Sequence, residues 1–346
     1  MDEGTVVSNI FSDLPDALVR DLLKRIEPVA GNVSKHLNEL QNARDNIRSH
    51  IASKGLIAQK SDCPTQKLPS VVGIDGSYQV QRLTAVDLCA AAAVAVEGIS
   101  KGAHQNWQKP YHEMWVDSCE HSRNTTNTLR GLMISMELEL AQKVPRNNLI
   151  LLDGSFITFI IYLNQGLTSL KESPRSLREE FQRQWEEHKV LTNFLELISS
   201  DRVIAIPKYS GRNELRSFLD GINLPETNGK TLATIILEPD EYIKPLPSED
   251  GEYHLPAGFC SSDEQNQMNQ SIKEMRVVFY RPYDWAPAVR LELTKPIAQS
   301  EEKLLVVLEG IKKQLFNPAV IEPYPLFLSS SNSFHPSTLC SISTCP

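Results

Sequence analysis

The chain has 346 residues, 41% of them hydrophobic and 23% charged, with a formal net charge of −8. That composition describes a globular protein with length for a large core and excludes a generally basic nucleic-acid coat, although a local basic groove remains open. Six cysteines without a Cys-x-x-Cys support neither a zinc ribbon nor a disulfide framework, and an acidic N-terminus with only short apolar runs points to a cytoplasmic protein with no membrane partner.

Residues 10 to about 60 read as helical. Asp13 can cap a helix carrying Pro15 in its first turn, with Ala17, Leu18, Leu22, Leu23 and Ile26 as its apolar stripe. A second, polar helix is expected over 33–54. Residues 1–62 thus form an N-terminal helical arm that either packs on the main domain or serves a dimer contact. A connector with two prolines spans 62–69.

Next comes Val71-Val72-Gly73-Ile74-Asp75-Gly76-Ser77, whose pattern returns at Leu149-Ile150-Leu151-Leu152-Asp153-Gly154-Ser155. A strand buried on both faces needs such an apolar run. In each copy the Asp is expected where the strand leaves the core, with Gly turning the chain. A plain turn explains one copy; two suggest paired carboxylates, which are costly to hold together without a shared cation. Strands at 83–98 and 111–117 and a helix at 125–143 separate the copies. Strand, strand, strand, helix, strand is a ribonuclease H-like order, which sets strands one and four side by side and Asp75 near Asp153. The expected fold is α/β, a mixed sheet flanked by helices, with the main domain at 63–328.

Further on, 174–199 reads as one charged helix and 203–207 as a strand ending on Lys208-Tyr209-Ser210. Strands are expected at 232–237, 277–280 and 288–293, a loop at 238–269, a helix at 300–314 and a disordered tail at 329–346.

In the helix before the second acid, Glu137 and Glu139 lie about 200° apart and face different ways. Glu137, with Ile134, Leu138 and Ala141 around it, is the better inward candidate; both acids could equally be solvated. Three carboxylates suit Mn²⁺ or Mg²⁺, which prefer oxygen ligands. Lys208 could neutralise a phosphate, and Tyr209 could bond one or stack on a base; a strand-end Lys and a half-buried Tyr is the plainer reading. The chain has no His-Glu-x-x-His, no Gly-x-x-x-x-Gly-Lys-Ser/Thr and no Gly-x-Ser-x-Gly.

Taken in order, the two Asp-Gly-Ser segments, Met136-Glu137-Leu138-Glu139, Ile204-Ala205-Ile206-Pro207-Lys208-Tyr209-Ser210, Val289-Arg290-Leu291-Glu292 and Pro323-Tyr324-Pro325-Leu326 resemble the NurA-domain nucleases. These are ribonuclease H-like, Mn²⁺-dependent DNA nucleases that work with a HerA-type hexameric ATPase. The resemblance implies metal ligands at Asp75, Glu137 and Asp153, with Lys208 as a further catalytic group and Ser77, Ser155 and Tyr209 as substrate contacts. It also implies a homodimer with a DNA channel, and single-strand endonuclease and 5′→3′ exonuclease activity in end resection and double-strand break repair. The sequence departs from the family after Leu328, where an Ala and then an Asp or His would help complete the site; here Ser329-Ser330-Ser331-Asn332 follow, and His335 is off register. A non-catalytic NurA-like scaffold is therefore one alternative. An actin/sugar-kinase-like phosphotransferase is another, though the late glycine-rich adenosine motif it needs is missing.

Overall fold

Alternation of apolar and small side chains builds the centre of the molecule. The computed structural model describes residues 16–61, 68–99, 107, 109–208, 210–222, 224–248 and 251–332. In chain order a long helix α1 (Asp16–Ser53) and short strand β1 (Ile57–Gln59) precede β2 (Val71–Arg82), β3 (Asp87–Glu97) and β4 (Tyr111–Cys119). Then follow α2 (Thr125–Lys143), β5 (Leu149–Asp153), α3 (Phe156–Ser169), α4 (Arg175–Glu187), α5 (Val190–Ile198) and β6 (Val203–Ile206). The last third holds α6 (Gly229–Ile236), β7 (Glu241–Pro247), α7 (Ser262–Glu274), β8 (Arg276–Arg281), β9 (Val289–Leu293), α8 (Lys295–Ala298), α9 (Glu301–Gln314) and α10 (Tyr324–Asn332).

One nine-stranded sheet runs in the order β1-β7-β8-β9-β6-β5-β2-β3-β4. β2, β3 and β4 form an antiparallel meander, whereas β5 lies parallel to β2 and β6 parallel to β5. This is the ribonuclease H-like order read from the sequence, extended by β9, β8, β7 and β1. Helices cover both faces. On one, α2, α3, α4 and α5 bury Leu132, Phe159, Phe181 and Phe194; on the other, Leu304, Leu308, Ile311 and Leu326 pack on Leu151 and Leu291. No helix among the described residues is long and apolar enough to cross a membrane.

Several local expectations change. The arm is a single helix from Asp16, with Pro28 inside it, and Asp13 and Pro15 lie outside the described residues. The expected helix at 174–199 is two, divided at Lys189, whose φ of 50° is left-handed and stops α4 from continuing into α5. Residues 232–236 are helical, and Leu237 is their extended C-cap. There Asn228 caps the Thr231 N–H, and Leu232, Ala233 and Ile236 bury at helical spacing. The expected loop holds β7, interrupted by a register shift between Ile243 and Leu246, and α7, started by a Ser261/Glu264 capping box. Pro245 and Pro247 hid β7 because prolines argue against strands; here they fall beyond the part that β1 pairs. Ser329 and Ser330 belong to α10, so the expected disordered tail does not begin there; 333–346 lie outside the described residues.

Candidate metal centre

β2 does not end at its acid. Asp75 sits in mid-strand, and Gly76 turns nothing: β2 pairs with β3 from Val72 to Arg82. Gly76 is small for another reason. A Cβ there would stand 2.5 Å from Glu137 Oε1 and 2.7 Å from Met133 Cγ, so the missing side chain makes room for the Glu137 carboxylate of α2. The second copy behaves as expected. Gly154, at φ 96°, turns the chain out of β5, and Ser155 caps α3 by accepting from Ile157 N–H.

The parallel register pairs Ile74 with Leu152, so one step further Asp75 lies beside Asp153. Asp75, Glu137, Asp153 and Lys208 all line one cavity of about 470 Å³. Lys208 Nζ is 2.7 Å from Asp153 Oδ2 and 3.1 Å from Glu322 Oε2, and it donates to Ser330 Oγ at 2.7 Å. Ser330 Oγ in turn donates to Asp75 Oδ2 at 2.5 Å. An ammonium and a hydroxyl thus tie the two aspartates together.

Burial, and then the neighbouring Asp153 charge, push Asp75 up to about 6, against the pull of the Ser330 donor and Lys208. Glu137 is 2% exposed, and its carboxyl is pushed well above the usual range by burial and then by Asp75 and Asp153. Its Oε2 has no hydrogen-bond partner among the described residues. Burial works to lower Lys208, but Asp153, Asp75 and Glu322 outweigh it and leave it raised.

These residues fit a divalent cation. The donors are hard oxygens, one buried carboxylate oxygen is orphaned, and one ammonium faces three acids, Asp75, Asp153 and Glu322. No three acid, His or Cys side chains among the described residues already close as a ligand set around one point; Lys208 and Ser330 hold the aspartates instead. Glu139 turns elsewhere, pairing with Lys143 at 2.7 Å and His188 at 3.1 Å.

Of the other expected residues, Ser77 does not line the cavity, whereas Ser155 does, its hydroxyl donating to Glu292 at 2.8 Å. Tyr209 lies outside the described residues. Part of the cavity wall is a group to which the sequence assigns no role. Arg290, 1% exposed, donates to Glu292 Oε1 at 2.6 Å and to Glu214 Oε1, while Glu292 also accepts from Phe156 N–H at 3.0 Å. The signal was an Arg and a Glu two apart in an apolar strand, which puts both on one face. Ser330 was missed because it stands where the sequence departs from the family.

Gly76→Ala is an expected loss on two counts. The new methyl must displace Glu137 or Met133, at about 1–3 kcal/mol for overpacking, and the displaced carboxylate weakens Mn²⁺ binding. Unchanged calorimetric Mn²⁺ affinity in this variant would show that Glu137 is not a ligand.

The sheet order and the acids at its centre define a ribonuclease H-like domain. The family model for the NurA domain matches residues 69–246, just over half of the chain, and the protein belongs to this nuclease family. Among solved structures, its fold is similar to the NurA nuclease from Sulfolobus solfataricus, with 14% identity, 95% of each chain covered and a TM-score of 0.62. It is also similar to a NurA with manganese (14% identity, 93% of this chain and 97% of that one, TM-score 0.54) and to a NurA bound to dAMP and manganese (12%, 94% and 98%, 0.53). No curated protein sequence matches the chain.

Proposed function

We propose that the protein is a metal-dependent DNA nuclease whose metal is held by Asp75, Glu137 and Asp153. The observation that carries this is one cavity in which Asp75 and Asp153 share a single lysine and the buried, orphaned Glu137 carboxylate lies against both aspartates. Mn²⁺, or Mg²⁺ in its place, supplies Lewis-acid polarisation of a phosphodiester and an acidified water when bound. Asp75 and Glu137, whose carboxyls are raised, would give up their protons to hold the ion together with Asp153. With its carboxylate partners engaged by an ion, Lys208 would be free to offer its ammonium to phosphate oxygens. Ser330 keeps Asp75 oriented by its hydrogen bond. Related NurA structures crystallised with manganese, and with dAMP and manganese, support the ion and the nucleotide substrate.

Single-strand endonuclease and 5′→3′ exonuclease action, in double-strand break resection beside a HerA-type hexameric ATPase, completes the reading. Parallel digests of 5′- and 3′-labelled single strands, with and without such an ATPase, test it. Mononucleotide released first from the 5′ label supports the polarity, and release from the 3′ label overturns it.

A homodimer is part of the proposal, and α1 supports it. Leu22, Ile26, Val29, Val33 and Leu37 form an exposed apolar stripe at spacings of four and three, continuing into Leu40, Ile47 and Ile51, which are buried. Arg44 and Arg48 fix that buried half by donating to the Ile235 and Ile236 carbonyls. The uncovered half has the spacing of a self-pairing helix seam and suits a second copy of this chain. Ile26→Asp with Val33→Asp is expected to halve the mass measured by light scattering; an unchanged dimer mass would place the contact elsewhere.

A further inference from the structure

A second hollow opens beside the acid cavity, and the two share Lys208, Ser210 and Gly211. Lys230, in the first turn of α6, lines this hollow, and Leu37 of the arm helix forms part of its wall. Lys230 is half-buried, and its ammonium has no hydrogen bond or ion pair among the described residues. Burial lowers its pKa, and the acid that eases this, Glu322, is already engaged by Lys208. An ammonium offers three donors and loses hydration when it is covered, so an uncompensated one beside a cavity is suited to an incoming anion. Nothing in the local packing calls for a charge here: Leu232, Ala233 and Ile236 of the same helix face the core without it.

We infer that this hollow binds a second phosphodiester of the same DNA strand, next to the one at the acids, and that Lys230 is the residue that holds it. The inference rests on the nuclease reading and adds a direction to it, since the strand then leaves the acids past α6 towards the arm. A strand carries a phosphate at every nucleotide, so two adjoining hollows that share Lys208, with Lys230 lining the second, suit a polymer better than a single nucleotide. Lys230 touches substrate in this account without touching the reacting atoms.

Fluorescence anisotropy of a labelled single-stranded oligonucleotide in EDTA tests the assignment without cleavage. Lys230→Met is expected to weaken binding roughly tenfold and to lower the slope of log affinity against log salt by about 0.7. Lys230→Arg should keep most of the affinity, and Lys244→Met, on an exposed position of β7, serves as the charge-matched control. In the unaltered protein, DNA should also protect Lys230 from acetylation, a readout that does not depend on a variant folding. Lys230→Met binding as tightly as Lys244→Met, or Lys230 acetylated equally with and without DNA, overturns the Lys230 assignment alone. No binding by the unaltered protein overturns the DNA reading beneath it.

Discussion

Asp75→Asn is expected to make the metal-free protein more stable and to abolish its response to Mn²⁺. In the folded protein Asp75 titrates at about 6, against an ordinary value of 3.8. The folded state therefore keeps a proton that the unfolded state releases, and stability falls as pH rises through the window from about 4 to 6. Below that window both states hold the proton and the penalty is absent; above it the penalty is complete, on the order of 3 kcal/mol. Asparagine removes it, so at pH 7.5 the variant should melt higher than the unaltered protein without metal. Metal reverses the order. An ion that binds only the folded state adds about 2.7 kcal/mol at a hundred times its Kd, and without Asp75 that gain should vanish. Mn²⁺ affinity of the unaltered protein should rise about tenfold per pH unit for each displaced proton below pH 6, with the raised Glu137 carboxyl extending the rise upward. A melting temperature that climbs equally with Mn²⁺ in both proteins would remove Asp75 from the ligand set.

Arg290→Met is expected to be the most destabilising single change near the site, at about 3–5 kcal/mol. Arg290, Glu214 and Glu292 are all at most 7% exposed. Without the guanidinium, Glu292 keeps the Ser155 hydroxyl and the Phe156 N–H, but Glu214 Oε2 already has no partner among the described residues. Two buried carboxylates then stand where a net charge of minus one stood before. Because Glu292 bonds Ser155 and the start of α3, the damage reaches the turn after Asp153. Replacing Glu214 and Glu292 by Leu in the same chain should recover much of the loss, because the cost is that of unpaired charge and not of lost volume. An unfolding free energy from denaturant titration within about 1 kcal/mol of the unaltered protein would show that the arginine is not what neutralises the pair.

The two acids were legible because a doubly buried run must be apolar, so a lone Asp after it stands out, although only Asp153 ends its strand and Asp75 lies within β2. The meander, α2 and the place of β5 beside β2 followed from the order of elements, which is that of a ribonuclease H-like sheet. The role of Gly76 was not legible. Its neighbour in space, Glu137, comes from another element, and no local pattern distinguishes a glycine that turns from one that yields room. α6 was taken for a strand because a six-residue apolar run has no resolvable period; the cap at Asn228, not the run, makes it helical. Ser330 was obscured by composition. A run of serines reads as disorder, yet the fold carries it as the last turns of α10, where one hydroxyl meets both Asp75 and Lys208. Glu322, Glu214 and Arg290 reach the site through tertiary packing, which a linear reading does not contain.

The most direct test is cleavage of labelled single-stranded DNA by the purified protein with Mn²⁺, Mg²⁺ or EDTA, alongside Asp75→Asn and Asp153→Asn. The account predicts cutting that needs the metal and falls at least about a thousandfold in either variant. Equal cutting in EDTA, or variants as active as the unaltered protein, would contradict the acid cluster as the catalytic centre. No cutting by a protein that still binds Mn²⁺ and DNA would leave a NurA-like scaffold as the better account.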